Sequence, residues 1–256
     1  MSRMRARCPD CRTLTAVALG PDYECHACGR EFHAGLVRVA RAWGKGGEAM
    51  AEAAHLELPY PETTLLECGS LQEQNLALAA DLPERPLVLG GCCCSHIGAV
   101  EGLAARHDRL AVVWLDAHGD LNTPESSPSG NEWGMPLRMV LDSGAVRPDD
   151  VALLGARNLD PPEEEYIAAS GLHTGADAVE RTLDGVSCVY VAFDADVSPE
   201  LDSFMPEPGG PGLDELERTL AGIAERGTVV GAGFSGFLRN PKNVEPITRF
   251  AAALGL

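Results

Sequence analysis

From about residue 71 onward, short continuously apolar runs rich in Val and Leu alternate with stretches of helical spacing. No other feature of the chain restricts its fold as strongly. Continuous apolarity, as opposed to alternation, marks strands buried on both faces, the condition of parallel strands covered by crossover helices. The runs at 86–89, 110–115, 151–154, 188–193 and 228–230 are read as such strands, and residues 97–106, 135–142, 162–169, 214–226 and 244–254 as the helices between them. Pro and Gly stand at many junctions, and no internal repeat or low-complexity tract breaks the rhythm. The expected fold is a three-layer α/β/α domain with a mostly parallel sheet.

The 256 residues suffice for one large domain and a small appendage. No run of about 18 apolar residues occurs, so no membrane span is expected. Residues 1–12 are basic but lack the apolar segment of a secretory signal, and a cytoplasmic location follows as the expectation. The formal net charge of −18 opposes a phosphate backbone, which excludes nucleic acid as the expected partner. The nine cysteines are clustered and odd in number, which fits metal binding in a reducing compartment better than a disulfide framework.

Two of the clusters are Cys8-Pro-Asp-Cys11 and Cys25-His-Ala-Cys28. Two C-x-x-C pairs separated by a short loop let four thiolates close tetrahedrally around one structural Zn²⁺. A segment of about 35 residues has too little apolar surface to fold alone, and the metal would supply the missing stability. The alternative, a pair of redox dithiols, lacks the strand-to-helix setting of a thioredoxin motif. The expected division is a zinc-ribbon-like knuckle over 1–35 and a main domain over 36–256.

In open α/β sheets, ligands collect outside the carboxyl ends of the strands. There the sequence places Gly90-Gly91-Cys92-Cys93-Cys94 after one strand, Asp116-Ala-His118-Gly-Asp120 after the next and Asp194-Ala-Asp196 after a third. Read as three adjoining strand ends, these bring four carboxylates together, which would repel one another in an apolar crevice unless a cation neutralised them. Each motif alone also reads as a helix cap or turn, and each cysteine as core packing. Their recurrence at successive strand ends favours a divalent metal pair.

The run Trp114-Leu-Asp116-Ala-His118-Gly-Asp120-Leu-Asn122-Thr-Pro, continuing to Ser129-Gly-Asn131, resembles the signature of the ureohydrolases, the arginases and agmatinases. Phe193-Asp194-Ala-Asp196 looks like their second metal motif and Val88-Leu-Gly90-Gly91 like the opening of their first, all in the same chain order. The resemblance implies an arginase-like fold and two Mn²⁺ ions that activate water to attack a guanidinium carbon. By position it makes Asp116, His118, Asp120, Asp194 and Asp196 ligands, and Asp120 also the residue that orients the water. Asn122, Ser129 and Asn131 match the contacts to an α-amino acid carboxylate, and Asp160 the contact to its amino group. A small-molecule substrate and a homo-oligomer are implied as well.

Three departures alter that expectation. Cys93 stands where the family has its first histidine ligand, and a thiolate tilts selectivity from Mn²⁺ toward Zn²⁺ or Fe²⁺; His96, three residues on, is the alternative ligand. Trp133 replaces a proton-shuttling histidine, leaving the adjacent Glu132 as candidate general acid/base. Leu238 falls where a Glu grips the guanidinium, which disfavours arginine itself. Residues 35–61 replace the usual start of the sheet, and 206–211 match the family's substrate loop only loosely. The expected activity is hydrolysis of a C–N bond in a guanidino or amidino compound. The alternatives are different hydrolytic chemistry on the same scaffold, or a catalytically silent metal-binding or regulatory protein.

Overall fold

The computed structural model describes residues 5–256; the first four residues of the expected 1–35 segment lie outside them. A small antiparallel sheet comes first, in the order β1 (Arg5–Ala6), β2 (Ala16–Leu19), β3 (Asp22–Cys25) and β4 (Glu31–Phe32). The chain then enters a seven-stranded sheet built from β5 (Gly35–Val39), β6 (Glu62–Leu66), β7 (Pro86–Gly90), β8 (Leu110–Leu115), β9 (Val151–Leu154), β10 (Cys188–Asp194) and β11 (Thr228–Ser235). Its spatial order is β6-β5-β7-β11-β10-β8-β9, and every neighbouring pair is parallel.

All five strands expected from apolar runs are present. Side chains alternate between the two sheet faces, as the pleat requires. Leu87, Leu89, Val113, Val191 and Phe193 enter one core with residues of α7 (Leu213–Arg226) and α8 (Val244–Ala253). Val88, Val112, Trp114 and Tyr190 enter the other with residues of α3 (Ser95–Ala104) and α4 (Pro136–Asp142). The remaining helices are α1 (Glu48–Ala51), α2 (Leu71–Ala80), α5 (Pro161–Ser170) and α6 (Ala178–Thr182). The result is the expected three-layer fold, and no helix among the described residues is long and apolar enough to cross a membrane.

The three motif-bearing strands do not adjoin as expected. β8 and β10 do, but β11 lies between β10 and β7 and brings Ser235 into the cluster. Strand order is set by which crossover helices pack together, which no local pattern encodes. Residues 35–66 hold two further strands: β5 carries Arg38, whose guanidinium is buried on Glu62 at 2.6 Å and on the carbonyls of Ala54 and Leu56. The small sheet docks there, through paired backbone bonds between Arg7 and Glu62 of 2.8 and 2.9 Å.

At the opposite end of the strands, Asp150 is 2% exposed just before β9. Its Oδ1 accepts from Arg109 at 2.6 Å and its Oδ2 from Arg147 at 3.0 Å, which joins the entries to β8 and β9. Burial pushes its pKa up, but the hydrogen bonds from Arg147 and Arg109 outweigh this and hold it below the usual carboxylate range. A depressed folded-state pKa contributes stability that is complete above the unfolded value of about 3.9 and is lost as pH falls through the folded one. Asp150→Asn is expected to lower unfolding free energy by about 2 kcal/mol at pH 7. In urea titrations the gap to the wild type should narrow below about pH 4; a gap that persists unchanged at pH 2 contradicts the assignment.

Candidate active site

The carboxyl end of β8 sets the first group of side chains. Asp116 leaves the sheet with its N–H still on the Leu154 carbonyl at 3.0 Å, and its carboxylate accepts from Trp114 Nε1 at 3.3 Å and from the backbone N–H of His118 at 2.7 Å. Asp120 then takes a left-handed backbone, φ +53°, which is uncommon for a residue with a side chain and marks a site where the surroundings dictate the turn. Its Oδ2 is buried and has no hydrogen-bond partner.

From β10, Asp194 accepts the N–H of Asp196 at 3.0 Å, closing a 3-10 turn over Ala195–Val197. That turn returns the Asp196 carboxylate to β8, where it accepts from Ala117 N at 3.0 Å and lies 2.9 Å from His118 Nδ1. From the turn after β7, Cys93 Sγ reaches Asp194 Oδ2 at 2.8 Å and Asp116 Oδ2 at 3.7 Å. Ser235 Oγ, at the end of β11, lies 3.2 Å from both Cys93 Sγ and Asp194 Oδ2.

His96 is not at the front of this cluster. It is fully buried, with Nε2 3.1 Å from Ser235 Oγ and Nδ1 3.0 Å from the Tyr190 hydroxyl, so a hydrogen-bonded row runs Tyr190, His96, Ser235, Cys93. Burial pulls its pKa down to about 3 and keeps it neutral. It supports Cys93 from behind while Cys93 faces the carboxylates.

The potential ligand atoms fall into two groups, Cys93, Asp116, Asp120 and Asp116, His118, Asp196, each within 4.8 Å and sharing Asp116. Without a countercharge these acids are harder to ionise than free carboxylates. Burial, then Asp196, pushes Asp194 up to about 7, and burial, then Asp116, pushes Asp196 up to about 6. Burial and the neighbouring carboxylates raise Asp120 and the Cys93 thiol well above their ordinary values. On His118, burial lowers the pKa, but hydrogen bonds to Asp116 and Asp196 win and lift it to about 12. Two adjoining sets of oxygen, nitrogen and sulfur donors, with one buried carboxylate oxygen unpartnered, fit a pair of divalent cations.

The cluster forms the floor of a cavity of about 280 Å³, which Asn122, Ser129, Asn131 and Asp160 also line. Asn122 is held between Asp160 Oδ2 at 2.8 Å and Ser126 Oγ at 2.8 Å, and Asn131 Oδ1 accepts Lys45 N at 2.8 Å. Glu132, the expected acid/base, is not among the lining residues; it opens a 3-10 turn beside the cavity. Trp133 does line it. Its N–H is bonded to the Trp43 carbonyl at 3.2 Å, and its ring meets Phe204 edge-on at 6.1 Å. On its other side the indole meets Gly44, where a Cβ would lie 2.4 Å from the ring. Leu238 does not line the cavity; its N–H donates to the Asp202 carbonyl at 2.9 Å. The lining residues missed in the sequence include Met50, Phe204 and Met205, apolar residues of short helices and loops that carry no local signature of a site.

Among families of known proteins, the arginase family model matches residues 49–253, which contain every lining residue of this cavity. The chain belongs to the arginase family. An arginase from Bacillus subtilis (strain 168) is 35% identical over 177 residues, 58% of this chain and 60% of that protein. The chain thus spans about 60% of the length of the curated relatives it matches first. A solved arginase structure from Bacillus subtilis superposes with a TM-score of 0.71 at 25% identity, covering 86% of this chain and 96% of the other. A proclavaminate amidino hydrolase from Streptomyces clavuligerus shares the fold, with a TM-score of 0.65 at 20% identity over 86% of this chain and 89% of the other.

For this arginase-family site the tightest steric constraint lies at Gly236. It has φ +73°, and a Cβ there would sit 2.1 Å from Asp194 Oδ1. Gly236→Ala is expected to cost at least about 1 kcal/mol through the backbone alone and to displace Asp194. Thermal melting and equilibrium dialysis with Mn²⁺ or Zn²⁺ check this; a variant that melts and takes up metal like the wild type contradicts it.

Proposed function

We propose that this chain is a dinuclear-metal hydrolase that cleaves a C–N bond in a guanidino or amidino compound. The observation that carries the reading is the pair of ligand groups sharing Asp116, on the floor of the cavity that Asn122, Ser129, Asn131 and Asp160 line. Cys93, Asp116, His118, Asp120, Asp194 and Asp196 hold the two cations, and the sulfur donor favours Zn²⁺ or Fe²⁺ over Mn²⁺. When bound, the cations polarise water so that it is a nucleophile near neutral pH.

The chain's own residues then have separate tasks. Asp120 holds the attacking water through its unpartnered oxygen. The Trp133 indole cannot relay a proton and Glu132 is off the cavity, so Asp120 also takes the proton released as water adds to the amidino carbon. It returns that proton to the nitrogen that leaves when the C–N bond breaks. Asn122, Ser129, Asn131 and Asp160 bind an amino-acid end of the substrate. With Leu238 in place of a carboxylate grip, a free arginine guanidinium is bound poorly. Residues 1–35 serve as a knuckle in which Cys8, Cys11, Cys25 and Cys28 hold a structural Zn²⁺; their sulfurs already approach to 3.9 Å for Cys8 to Cys28 and 3.8 Å for Cys25 to Cys11. Residues 36–256 form the hydrolase, acting in the cytoplasm as a homo-oligomer.

Elemental analysis of the wild type and of Cys8→Ala and Cys93→Ala variants is the first test. One zinc lost with Cys8→Ala, and two further metals disturbed by Cys93→Ala, are expected. A wild type that holds only the knuckle zinc after supplementation with Mn²⁺, Fe²⁺ and Zn²⁺ overturns the reading. Metal-loaded protein should then turn over some member of a panel of guanidino, amidino and formimino compounds, with arginine a poor one. Asp120→Asn should lower kcat by roughly 10²- to 10⁴-fold, and no turnover across the panel by the loaded wild type contradicts the assigned reaction.

A further inference from the structure

The loop after β10, residues 198–212, has no part in the reading above, yet it places one carboxylate against His118. We infer that Glu207 is a positioning residue for His118 and that Arg157 holds Glu207 in place; this rests on the proposal that His118 is a metal ligand.

The two ring nitrogens of His118 face different surroundings. Nδ1 looks into the cluster, 2.9 Å from Asp196 Oδ2 and 3.6 Å from Asp116 Oδ1. Nε2 looks away from it, 3.4 Å from Glu207 Oε1 and 3.3 Å from Asn158 Nδ2. An imidazole that offers the Nδ1 lone pair to a cation keeps its proton on Nε2, and that N–H needs an acceptor to fix the ring's tautomer and orientation. Glu207 Oε1, in ion-pair range at 3.4 Å, is the carboxylate oxygen on that side of the ring. Asn158 turns its Nδ2, a donor only, toward both His118 Nε2 at 3.3 Å and Glu207 Oε1 at 2.8 Å, so it cannot accept from an Nε2–H. Asn158 therefore steadies the carboxylate that receives the imidazole.

Glu207 stands between Pro206 and Pro208, whose rings fix their own φ and stiffen the loop. Arg157 anchors that loop to the cluster. Its guanidinium donates to the carbonyls of Glu207 at 3.1 Å and Pro208 at 2.9 Å, and also to those of Asp196 at 2.9 Å and Val197 at 3.3 Å. One rigid fork thus joins the backbone of Asp196 to the backbone of Glu207. The approach leaves no space at Gly210, φ +90°, where a Cβ would lie 2.3 Å from the Val197 carbonyl oxygen. Glu207 and His118 side chains are 23% and 22% exposed, so their contact forms the rim of the cluster and is only partly screened by water.

The test titrates Mn²⁺ into wild type, Glu207→Ala, Glu207→Gln and Arg157→Ala proteins that carry zinc in the knuckle alone, with a competing chelator, and melts each protein before Mn²⁺ is added. Glu207→Ala and Arg157→Ala should bind Mn²⁺ roughly 10- to 100-fold more weakly than the wild type. Glu207→Gln, which keeps an acceptor oxygen, should fall between Glu207→Ala and wild type, and Glu207→Ala should melt like the wild type before metal addition. On a substrate that is turned over, Glu207→Ala should lower kcat more than it raises KM. Wild-type affinity in Glu207→Ala overturns this inference and leaves the hydrolase reading intact. So does a lower melting temperature in Glu207→Ala with equal loss of affinity in Glu207→Gln, which marks a merely structural residue. A wild type that binds no Mn²⁺, Fe²⁺ or Zn²⁺ beyond its knuckle zinc overturns both readings, and the wild-type titrations alone show it.

Discussion

Four buried carboxylates and a thiol crowd together at the carboxyl ends of parallel strands, and the surrounding structure is arranged around that crowding. Asp116, Asp120, Asp194 and Asp196 are each at most 7% exposed. Like charges so close and so dry disfavour one another's ionisation, which is why burial and the neighbouring acids push these groups upward. The protein compensates first with fixed dipoles: the N–H groups of Ala117, His118 and Asp196 and the indole of Trp114 all point at carboxylate oxygens. These donors leave Asp120 Oδ2 unserved, the oxygen proposed to hold the attacking water.

That demand explains features that otherwise look unrelated. Asp120 occupies a left-handed backbone, and Gly236 lacks a side chain where one would strike Asp194. Both are local costs tolerated because the cluster admits no looser arrangement. Behind the front rank, Ser235 and the neutral His96 give Cys93 a polar backing that a wholly apolar core would deny a thiolate. The insertion of β11 between β7 and β10 makes that row possible, since it delivers Ser235 between Cys93 and Asp194.

The sequence made legible what depends on short-range pattern. Continuously apolar runs located five strands, and the D-x-H-x-D and D-x-D motifs located five of the six residues proposed as ligands, because spacing along a strand end fixes direction. Strand order was not legible, because it follows from helix packing between distant segments. β5 was hidden by Arg38, a charge inside an otherwise apolar run whose partners, Glu62 and two carbonyls, lie on other elements. Glu132 shows the reverse error: adjacency to Trp133 suggested a role, but a 3-10 turn separates neighbouring side chains in direction, and only Trp133 lines the cavity. Met50 and Phe204 had no signature at all, since an apolar residue that lines a cavity is chemically the same as one that fills a core.

The three departures from the family pattern act on one property, the charge at the reacting end of the cavity. Leu238 removes a carboxylate, Trp133 removes a titratable ring, and Cys93 substitutes a potential anion for a neutral imidazole. Among the described residues no Lys or Arg side chain lines the cavity, so no fixed cation offsets these changes. The end proposed to bind an amino acid, by contrast, keeps Asn122, Ser129, Asn131 and Asp160. A site altered at one end and retained at the other selects by the changed end: binding energy from the retained contacts holds the substrate, while the reacting group is discriminated by what the site no longer grips. Trp133, which Gly44 and Phe204 pack against, offers that group an apolar wall where the family pattern has a titratable ring. Under the proposed chemistry this favours an amidino or substituted guanidino group, whose hydrocarbon substituent gains from contact with the indole; a bare guanidinium keeps only a cation–π contact with that ring in place of its carboxylate.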